Sequence, residues 1–234
     1  MPAKGDAEPS AIVGGVRARD NPYRWRSGRR CEPRSRAARL ALGDLVIAAD
    51  GGARQAAALG LTLHQVVGDF DSLTSAEYED LVAAGVRCTR FPAEKEATDT
   101  ELALLAALDA GATEIALIGV WGGRVDHALG IAALLEHPRV RASGALLVLL
   151  GADSVVRLLA ANERCELLDH EGQTLSLIPW GSDATVSLNG TRWPLAHETL
   201  HVGASRGLSN VATSARVVLN VHSGKLLLVS GVRA

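Results

Sequence analysis

The chain has 234 residues, of which 47% are hydrophobic and 21% are charged, and its formal net charge is −2. This composition is typical of a globular protein with one large or two small domains. No apolar run reaches the roughly 18 residues that a membrane span requires, and the N-terminal residues lack the apolar core of a secretory signal. The three cysteines form neither a metal-ligand spacing nor a disulfide framework, so we expect a cytoplasmic protein with no membrane partner.

Strands alternate with helices along the first two thirds of the chain. The apolar runs AIVGG, LVIAAD, HQVVGDFD, VRCTRFP, EIALIGV and ALLVLLG predict strands, and the segments between them predict helices at 53–60, 74–85, 98–111 and 126–137. Short apolar strands that alternate with helices indicate a mostly parallel sheet with helices on both faces. We therefore predict an α/β domain over residues 1–152.

An arginine-rich segment interrupts this pattern between the first two strands. Nine arginines fall between Arg17 and Arg39, and such a run can contact nucleic acid or phosphates. Asp20, Pro22 and Glu32 break the run, and no repeat is visible. We predict a solvated loop followed by the start of a helix, and no nucleic-acid partner.

The pattern changes after about residue 153, where helical periodicity ends and short alternating strands begin. Asn189-Gly190 and Ser223-Gly224 are dipeptides typical of hairpin turns. Residues 153–234 are therefore predicted to form an all-β, sandwich-like domain.

Polar residues cluster where the predicted parallel strands end, which is the edge where open α/β sheets bind ligands. These segments are Asp50-Gly51-Gly52, Asp69-Phe70-Asp71, 94–101 and 122–127. Each alone has a simpler interpretation, such as a turn, a helix cap at Thr98 or a packing histidine at His127. Their recurrence at four strand ends is what favours a site.

The strand-end residues have the chemistry of a phosphate and metal site. Two neighbouring carboxylates, Asp69 and Asp71, oppose each other's ionisation unless a cation lies between them, and Mg²⁺ binds such oxygens together with substrate phosphates. Asp99 can supply a third oxygen, while Arg124 and Lys95 can contact phosphates. The glycines that follow the strands allow close backbone approach to phosphates. We therefore predict phosphoryl or pyrophosphoryl transfer. A P-loop and a dinucleotide fingerprint are both absent from the sequence.

The segments ADGGA, GDFDSL, EKEATDTELAL, GGRVDH and GLSN occur in an order and spacing that resemble the thiamine pyrophosphokinases. The resemblance covers about residues 11–230. It implies transfer of the pyrophosphoryl group of ATP to the hydroxyl of thiamine, with thiamine diphosphate and AMP as products. It also implies a homodimer whose site lies between the α/β domain of one subunit and the β domain of the other.

The resemblance further implies roles for single residues. Mg²⁺ and the triphosphate would be held by Asp69, Asp71 and Asp99, and thiamine would be contacted by Ser209 and Asn210. The nucleotide and phosphate site would comprise Asp50, Gly51, Gly52, Lys95, Thr98, Arg124 and Asp126.

Several alternatives stay open at this stage. Asp71 or Asp99 could accept the hydroxyl proton, and Trp180 or Trp193 could offer an aromatic face to the thiamine cation. The acceptor could be another heterocyclic alcohol. A metal-dependent phosphohydrolase could use Asp69 and Asp71 around Mg²⁺, but it would leave GGRVDH and the β domain unexplained. A binding or regulatory module without activity is the third alternative, and the intact acids at four strand ends argue against it.

Overall fold

A computed structural model describes residues 10–13, 23–26, 30–33, 45–121, 124–151 and 153–232. The chain divides into two compact units, one made of residues 1–18 and 40–147 and the other of residues 19–39 and 148–234. The division at Val148 lies close to the predicted boundary, but residues 19–39 are grouped with the second unit and not with the first. Among the described helices, none has the length and apolar character needed to cross a membrane.

The described elements alternate as expected in the first unit, and those of the second unit are all strands. The strands are β1 (Ser10–Val13), β2 (Tyr23–Arg26), β3 (Arg30–Pro33), β4 (Leu45–Ala49), β5 (Gln65–Gly68), β6 (Arg87–Arg90), β7 (Glu114–Ile118), β8 (Leu146–Leu150), β9 (Val155–Ala160), β10 (Arg164–Leu168), β11 (Thr174–Pro179), β12 (Ala184–Asn189), β13 (Leu195–Leu200), β14 (Asn210–Val211), β15 (Arg216–Ser223) and β16 (Lys225–Val232). The helices are α1 (Gly52–Ala58), α2 (Ser75–Ala83), α3 (Asp99–Asp109), α4 (Val125–Ala133) and α5 (Pro138–Ser143), with a short 3-10 turn at Leu134–Glu136.

The α/β unit is built on five adjacent strands in the order β7-β1-β4-β5-β6. Each pairing among them is parallel, whereas β8 pairs with β9 in the antiparallel direction, so the sheet is mixed. Helix α3 packs on β1, β4 and β5, and its residues Ala103, Leu104 and Ala107 are fully buried. The predicted α/β unit followed by an all-β unit is confirmed, while helices on both faces of the sheet stay a prediction.

Two helices of this unit begin at residues that the sequence marks as caps. The Thr74 side chain accepts a hydrogen bond from the Glu77 backbone N–H, and Glu77 bonds back to the Thr74 N–H, which forms a capping box at the start of α2. Thr98 accepts from the Glu101 backbone N–H and caps α3. The Thr98 cap fixes Asp99 as the first residue of α3.

The β unit is a sandwich of two sheets around one core. One sheet includes the neighbouring strands β14-β11-β16-β9, and the other has the order β13-β12-β15-β10-β3-β2. A single buried cluster contains Leu159, Leu177 and Leu226 from the first sheet together with Val186 and Leu219 from the second. Burial of this shared apolar surface is the main force that holds the two sheets together.

The described part of the arginine-rich segment forms a hairpin, so the prediction of a loop and a helix start is wrong for these residues. β2 and β3 are antiparallel, and β3 extends the second sheet by pairing with β10 at Leu167↔Cys31. The sequence contained the signal, because YRWR and RCEP alternate apolar and polar residues with the period of a strand. The remaining arginines of residues 17–39 lie outside the described residues.

A buried histidine makes the stability of the β unit depend on pH. His170 is 2% exposed, its Nδ1 lies 2.7 Å from the Leu168 carbonyl oxygen, and burial lowers its pKa below the ordinary value. Between the lowered pKa and about pH 6.5, His170 is protonated in the unfolded chain but neutral in the folded chain. The free energy of unfolding is therefore highest above about pH 6.5 and decreases as the pH falls toward the lowered pKa.

We expect the free energy of unfolding, measured by urea titration, to fall below about pH 6.5 by up to about 1.4 kcal/mol per pH unit. His170→Asn keeps a nitrogen near the Nδ1 position and removes the titrating group, so its profile should be flatter over the same range. Parallel pH profiles for the two proteins would contradict this assignment.

Candidate active site

Three carboxylates meet at the carboxyl edge of the parallel strands. Asp50 follows β4, Asp69 follows β5, and Asp99 begins α3 after β6. One oxygen of each lies within 4.8 Å of the others. Because β4, β5 and β6 are parallel neighbours, successive strand ends place these side chains at one edge. We call these three residues the aspartate cluster.

The backbone around the aspartate cluster adopts conformations that most residues avoid. Asp50 has φ 42° and Phe70 has φ 65°, and the Asp50 N–H donates to the Val67 carbonyl at 2.8 Å. Gly68 has φ 152°, and a Cβ there would lie 3.0 Å from the Asp50 Cβ and 3.3 Å from the Asp99 Cγ. Glycine at position 68 therefore lets the two acids approach across the end of β5.

Lys95 lies beside two of the three acids. Its Nζ is 3.0 Å from Asp99 Oδ1 and 3.5 Å from Asp69 Oδ2, and its side chain is only 15% exposed. Burial lowers the pKa of Lys95, but Asp99 and Asp69 together outweigh it and raise the value. The Asp71 backbone N–H, followed by Lys95, holds the pKa of Asp69 below its ordinary value against the effect of burial. Lys95 and Asp69 therefore favour their charged forms.

Asp50 contributes an oxygen that no other described group satisfies. The Ser72 hydroxyl donates to Asp50 Oδ2, while Asp50 Oδ1 is buried without a hydrogen-bond partner among the described residues. A buried carboxylate oxygen without a partner is costly in a folded protein. The donor set of the aspartate cluster, made of carboxylate oxygens alone, fits a hard divalent cation such as Mg²⁺.

Asp71, predicted as a metal ligand, lies next to the aspartate cluster but is not among the three residues that share it. Its side chain is exposed, and its backbone N–H donates to Asp69 Oδ1 at 3.1 Å. The charge of Asp69 is the main cause that raises the pKa of Asp71, followed by burial and the charge of Asp50. The structure thus brings Asp50 together with Asp69 and Asp99, and sequence reasoning had assigned Asp50 only to the nucleotide.

The turn formed by Asp69, Phe70 and Asp71 is anchored by packing of the buried Phe70 ring. Phe70 is 6% exposed and meets Tyr78 edge-on at 5.3 Å between ring centroids. The Arg90 guanidinium lies 5.0 Å from the Phe70 centroid and donates to the Asp69 carbonyl at 2.9 Å. These contacts fix the Phe70 backbone and, with it, the direction in which Asp69 leaves the strand.

The predicted phosphate-binding residues are placed at several points of the α/β unit. Gly51 and Gly52 begin α1, and Thr98 caps α3. Arg124 and Asp126 lie at the start of α4, where they form a two-point pair at 3.1 and 2.5 Å with side chains 72% and 64% exposed. The bond from Arg124 lowers the pKa of Asp126 to about 2. Gly122 and Gly123 lie outside the described residues.

The GLSN segment of the β unit places its two polar residues very differently. Ser209 is exposed with φ 55°, and its N–H donates to Ser176 Oγ at 3.0 Å. Asn210 is 4% exposed, and its amide bonds both the N–H of Trp193, at 3.1 Å, and the carbonyl of Trp193, at 2.7 Å. The Ser209 hydroxyl is thus open to a ligand, whereas the Asn210 amide holds the backbone of Trp193.

The two tryptophans considered for the thiamine ring also differ. Trp193 is 46% exposed, with the Arg192 guanidinium 5.0 Å from its ring centroid. Trp180 is partly buried, and its N–H donates to the Lys225 carbonyl at 2.9 Å. Trp193, fixed through its backbone by Asn210, offers the more accessible aromatic surface.

Known proteins resemble this chain over both units. The family model described as "Thiamin pyrophosphokinase, catalytic domain" matches residues 39–148, and "Thiamin pyrophosphokinase, vitamin B1 binding domain" matches residues 163–226. A thiamine pyrophosphokinase of Bacillus subtilis is 28% identical over 171 residues, which are 73% of this chain and 79% of that protein.

Solved structures share the fold. A thiamine pyrophosphokinase structure from Bacillus subtilis has a TM-score of 0.78 at 24% identity and covers 96% of this chain and 99% of its own. A thiamin pyrophosphokinase from Candida albicans has a TM-score of 0.72 at 11% identity, with 95% and 90% covered. The two family models follow each other in the order of the two units and together match about three quarters of the sequence. The chain belongs to the thiamin pyrophosphokinase family.

Proposed function

We propose that this protein transfers the pyrophosphoryl group of ATP to the hydroxyl of thiamine, which yields thiamine diphosphate and AMP. The observation that carries the proposal is the aspartate cluster, because it lies at the strand ends of the unit that the catalytic-domain model matches. In the reaction, the thiamine oxygen bonds to the β-phosphorus of ATP, the bond from that phosphorus to the α,β-bridging oxygen breaks, and AMP leaves. The hydroxyl proton passes to a base.

Asp50, Asp69 and Asp99 are the residues that would hold Mg²⁺. When bound, the ion supplies neutralisation of the negative charge that develops between the α- and β-phosphates. Packing holds the cluster in place, since Gly68 lets Asp50 and Asp99 approach each other and Phe70, in the turn that carries Asp69, is buried. Such preorganised charge favours the transition state because it needs no rearrangement during the reaction.

We propose Asp71 as the group that accepts the hydroxyl proton. Asp99 is the less suitable of the two candidates, since its Oδ1 lies 3.0 Å from Lys95 Nζ and the residue belongs to the aspartate cluster. Asp71 is exposed beside the cluster, where an incoming alcohol can reach its carboxylate. A general base acts through such direct access to the proton that it removes.

The nucleotide would be bound by the remaining strand-end groups of the α/β unit. Lys95 offers a point charge, and Arg124 a planar fork that matches two phosphate oxygens. Arg124 is paired with Asp126 and largely exposed, so it is accessible to an anion. Asp50, Gly51, Gly52 and Thr98 stay predicted members of the nucleotide site, with Thr98 acting through the cap that places Asp99.

On the β unit, we propose that thiamine meets the Ser209 hydroxyl and the face of Trp193. Thiamine is a cation, and an aromatic face stabilises a cation. Asn210 acts indirectly in this proposal, because its amide bonds the backbone of Trp193. We further propose a cytoplasmic homodimer, whose stoichiometry light scattering of the purified protein would measure.

Removal of the Lys95 charge should strengthen the binding of a divalent cation but weaken the use of ATP. Its ammonium competes with a divalent cation for Asp69 and Asp99, yet it also attracts phosphates. Lys95→Met should therefore bind Mn²⁺ alone several-fold more tightly, while kcat/KM for ATP falls on the order of tenfold to a hundredfold. Electron paramagnetic resonance measures the affinity for Mn²⁺, and steady-state kinetics measure kcat/KM for ATP. Lys95→Arg, which retains the charge, is the control, and weaker Mn²⁺ binding by Lys95→Met would contradict the placement of Lys95.

The proposed function is tested by incubation of the purified protein with ATP, Mg²⁺ and thiamine, with chromatographic measurement of AMP and ADP. We expect AMP that depends on thiamine and matches thiamine diphosphate one to one. ADP or free phosphate formed without thiamine would indicate a phosphohydrolase. Turnover only with a different heterocyclic alcohol would keep the chemistry and replace the substrate.

A further inference from the structure

The first glycine after β4 is not required by its backbone conformation. Gly51 has φ −55° and ψ −11°, which every residue adopts easily. Space is the constraint, since a Cβ at position 51 would lie 2.9 Å from Ser72 Oγ. Gly51 therefore leaves room for the Ser72 hydroxyl, which a larger residue would displace.

The Ser72 hydroxyl acts on one oxygen of the aspartate cluster. It donates to Asp50 Oδ2, while Asp50 Oδ1 is buried without a hydrogen-bond partner among the described residues. A hydrogen bond to one carboxylate oxygen fixes the rotation of the group, so the other oxygen keeps a defined direction. Of the two oxygens of Asp50, Oδ1 is thus the one left available to a cation.

Ser72 is itself held by the two neighbouring helices. Arg54, on α1, donates from Nη2 to the Ser72 carbonyl at 2.6 Å. The same guanidinium binds both carboxylate oxygens of Glu77, on α2, at 2.5 and 2.7 Å, and Glu77 also completes the capping box with Thr74. The loop that carries Ser72 is therefore tied to both helices that flank it.

We infer that Ser72 is a positioning residue of the cation site, and that Gly51 is glycine to admit its hydroxyl. The hydroxyl fixes Asp50 so that Oδ1 joins Asp69 and Asp99 as a ligand. This inference rests on the proposed function for the presence of a cation. It assigns separate tasks to two residues of the ADGGA and GDFDSL segments: Ser72 orients Asp50, and Gly51 leaves the space for the Ser72 hydroxyl.

The test is the affinity of the full-length protein for Mn²⁺ alone, measured from the signal of free Mn²⁺ in electron paramagnetic resonance. Ser72→Ala should weaken binding about tenfold, as the loss of a hydrogen bond to a metal ligand does. Ser72→Thr retains the hydroxyl and should bind within about twofold of the wild type. Ser75→Ala, an exposed position at the start of α2, is the matched control and should leave the affinity unchanged.

A double-mutant cycle separates positioning from a general loss of structure. Gly51→Ala should weaken Mn²⁺ binding as Ser72→Ala does, because its new methyl group displaces the hydroxyl. In the double variant the methyl group has no hydroxyl to displace, so its affinity should equal that of Ser72→Ala. Thermal midpoints by circular dichroism should match within the set.

Additive losses in the cycle, or equal affinities of Ser72→Ala and Ser75→Ala, would overturn the inference. Wild-type protein that binds no Mn²⁺ would also overturn it. Thiamine-dependent AMP formation by the same sample reports separately on the proposed function, so the two failures can be told apart.

Discussion

Asp99→Asn should lower kcat for thiamine diphosphate formation on the order of a thousandfold, which corresponds to about 4 kcal/mol of transition-state stabilisation. Asparagine keeps the shape of the side chain and its place after the Thr98 cap but removes a negative charge from the aspartate cluster. Lys95, which lies 3.0 Å from Asp99 Oδ1, then has one acid fewer to balance it. A cation at the cluster is consequently repelled more strongly.

Asp109→Asn is the matched control for this experiment. Asp109 is the last residue of the same helix, is exposed, and pairs with Arg139 at 2.5 Å. Its substitution therefore also removes one negative charge from α3, but at the end away from the aspartate cluster. We expect kcat within about twofold of the wild type, since exposed ion pairs contribute little. A value for Asp99→Asn within tenfold of the control would remove Asp99 from the proposed metal site.

Asn210→Ala should destabilise the β unit and weaken thiamine binding together. The Asn210 amide bonds the N–H and the carbonyl of Trp193 and also accepts from the Val211 N–H at 2.9 Å. Loss of these bonds around a residue only 4% exposed should cost about 2–3 kcal/mol of unfolding free energy in urea titration. Because Trp193 then loses the hydrogen bonds that hold its backbone, KM for thiamine should rise at least about tenfold, with a smaller change in kcat.

Two further substitutions divide this effect into its parts. Ser209→Ala removes an exposed hydroxyl, so it should raise KM for thiamine without loss of stability. Asn210→Asp keeps the acceptor oxygen but cannot donate to the Trp193 carbonyl, so it should resemble Asn210→Ala in stability. If Asn210→Ala left the unfolding free energy unchanged and altered only KM, direct contact of Asn210 with thiamine would replace the indirect role.

Much of the candidate site could be predicted because it follows from the direction of the strands. Parallel neighbours end at one edge, so acids that follow β4, β5 and β6 are bound to meet there. The choice between Asp50 and Asp71 could not be made from the sequence. It depends on the left-handed backbone of Asp50, with φ 42°, and on the approach that Gly68 permits.

Other parts of the site depend on contacts between residues far apart in the chain. Ser72 bonds a carboxylate 22 residues away, and Asn210 bonds a backbone 17 residues away. No local pattern specifies either partner. The resemblance therefore implied a contact with thiamine for Asn210, and no role was predicted for Ser72. The hairpin formed by β2 and β3 was missed for a different reason, because the charge of its arginines obscured an alternation of two-residue period.

The central claim, transfer of a pyrophosphoryl group in one step, is tested most directly by the fate of labelled phosphates. The protein is incubated with thiamine, Mg²⁺ and ATP that carries ³²P at the β position or, in a parallel sample, at the γ position. Attack at the β-phosphorus predicts that both labels enter thiamine diphosphate and that unlabelled AMP is released. The proposed mechanism would be contradicted if only the γ label entered the thiamine product and if ATP labelled at the β position gave labelled ADP.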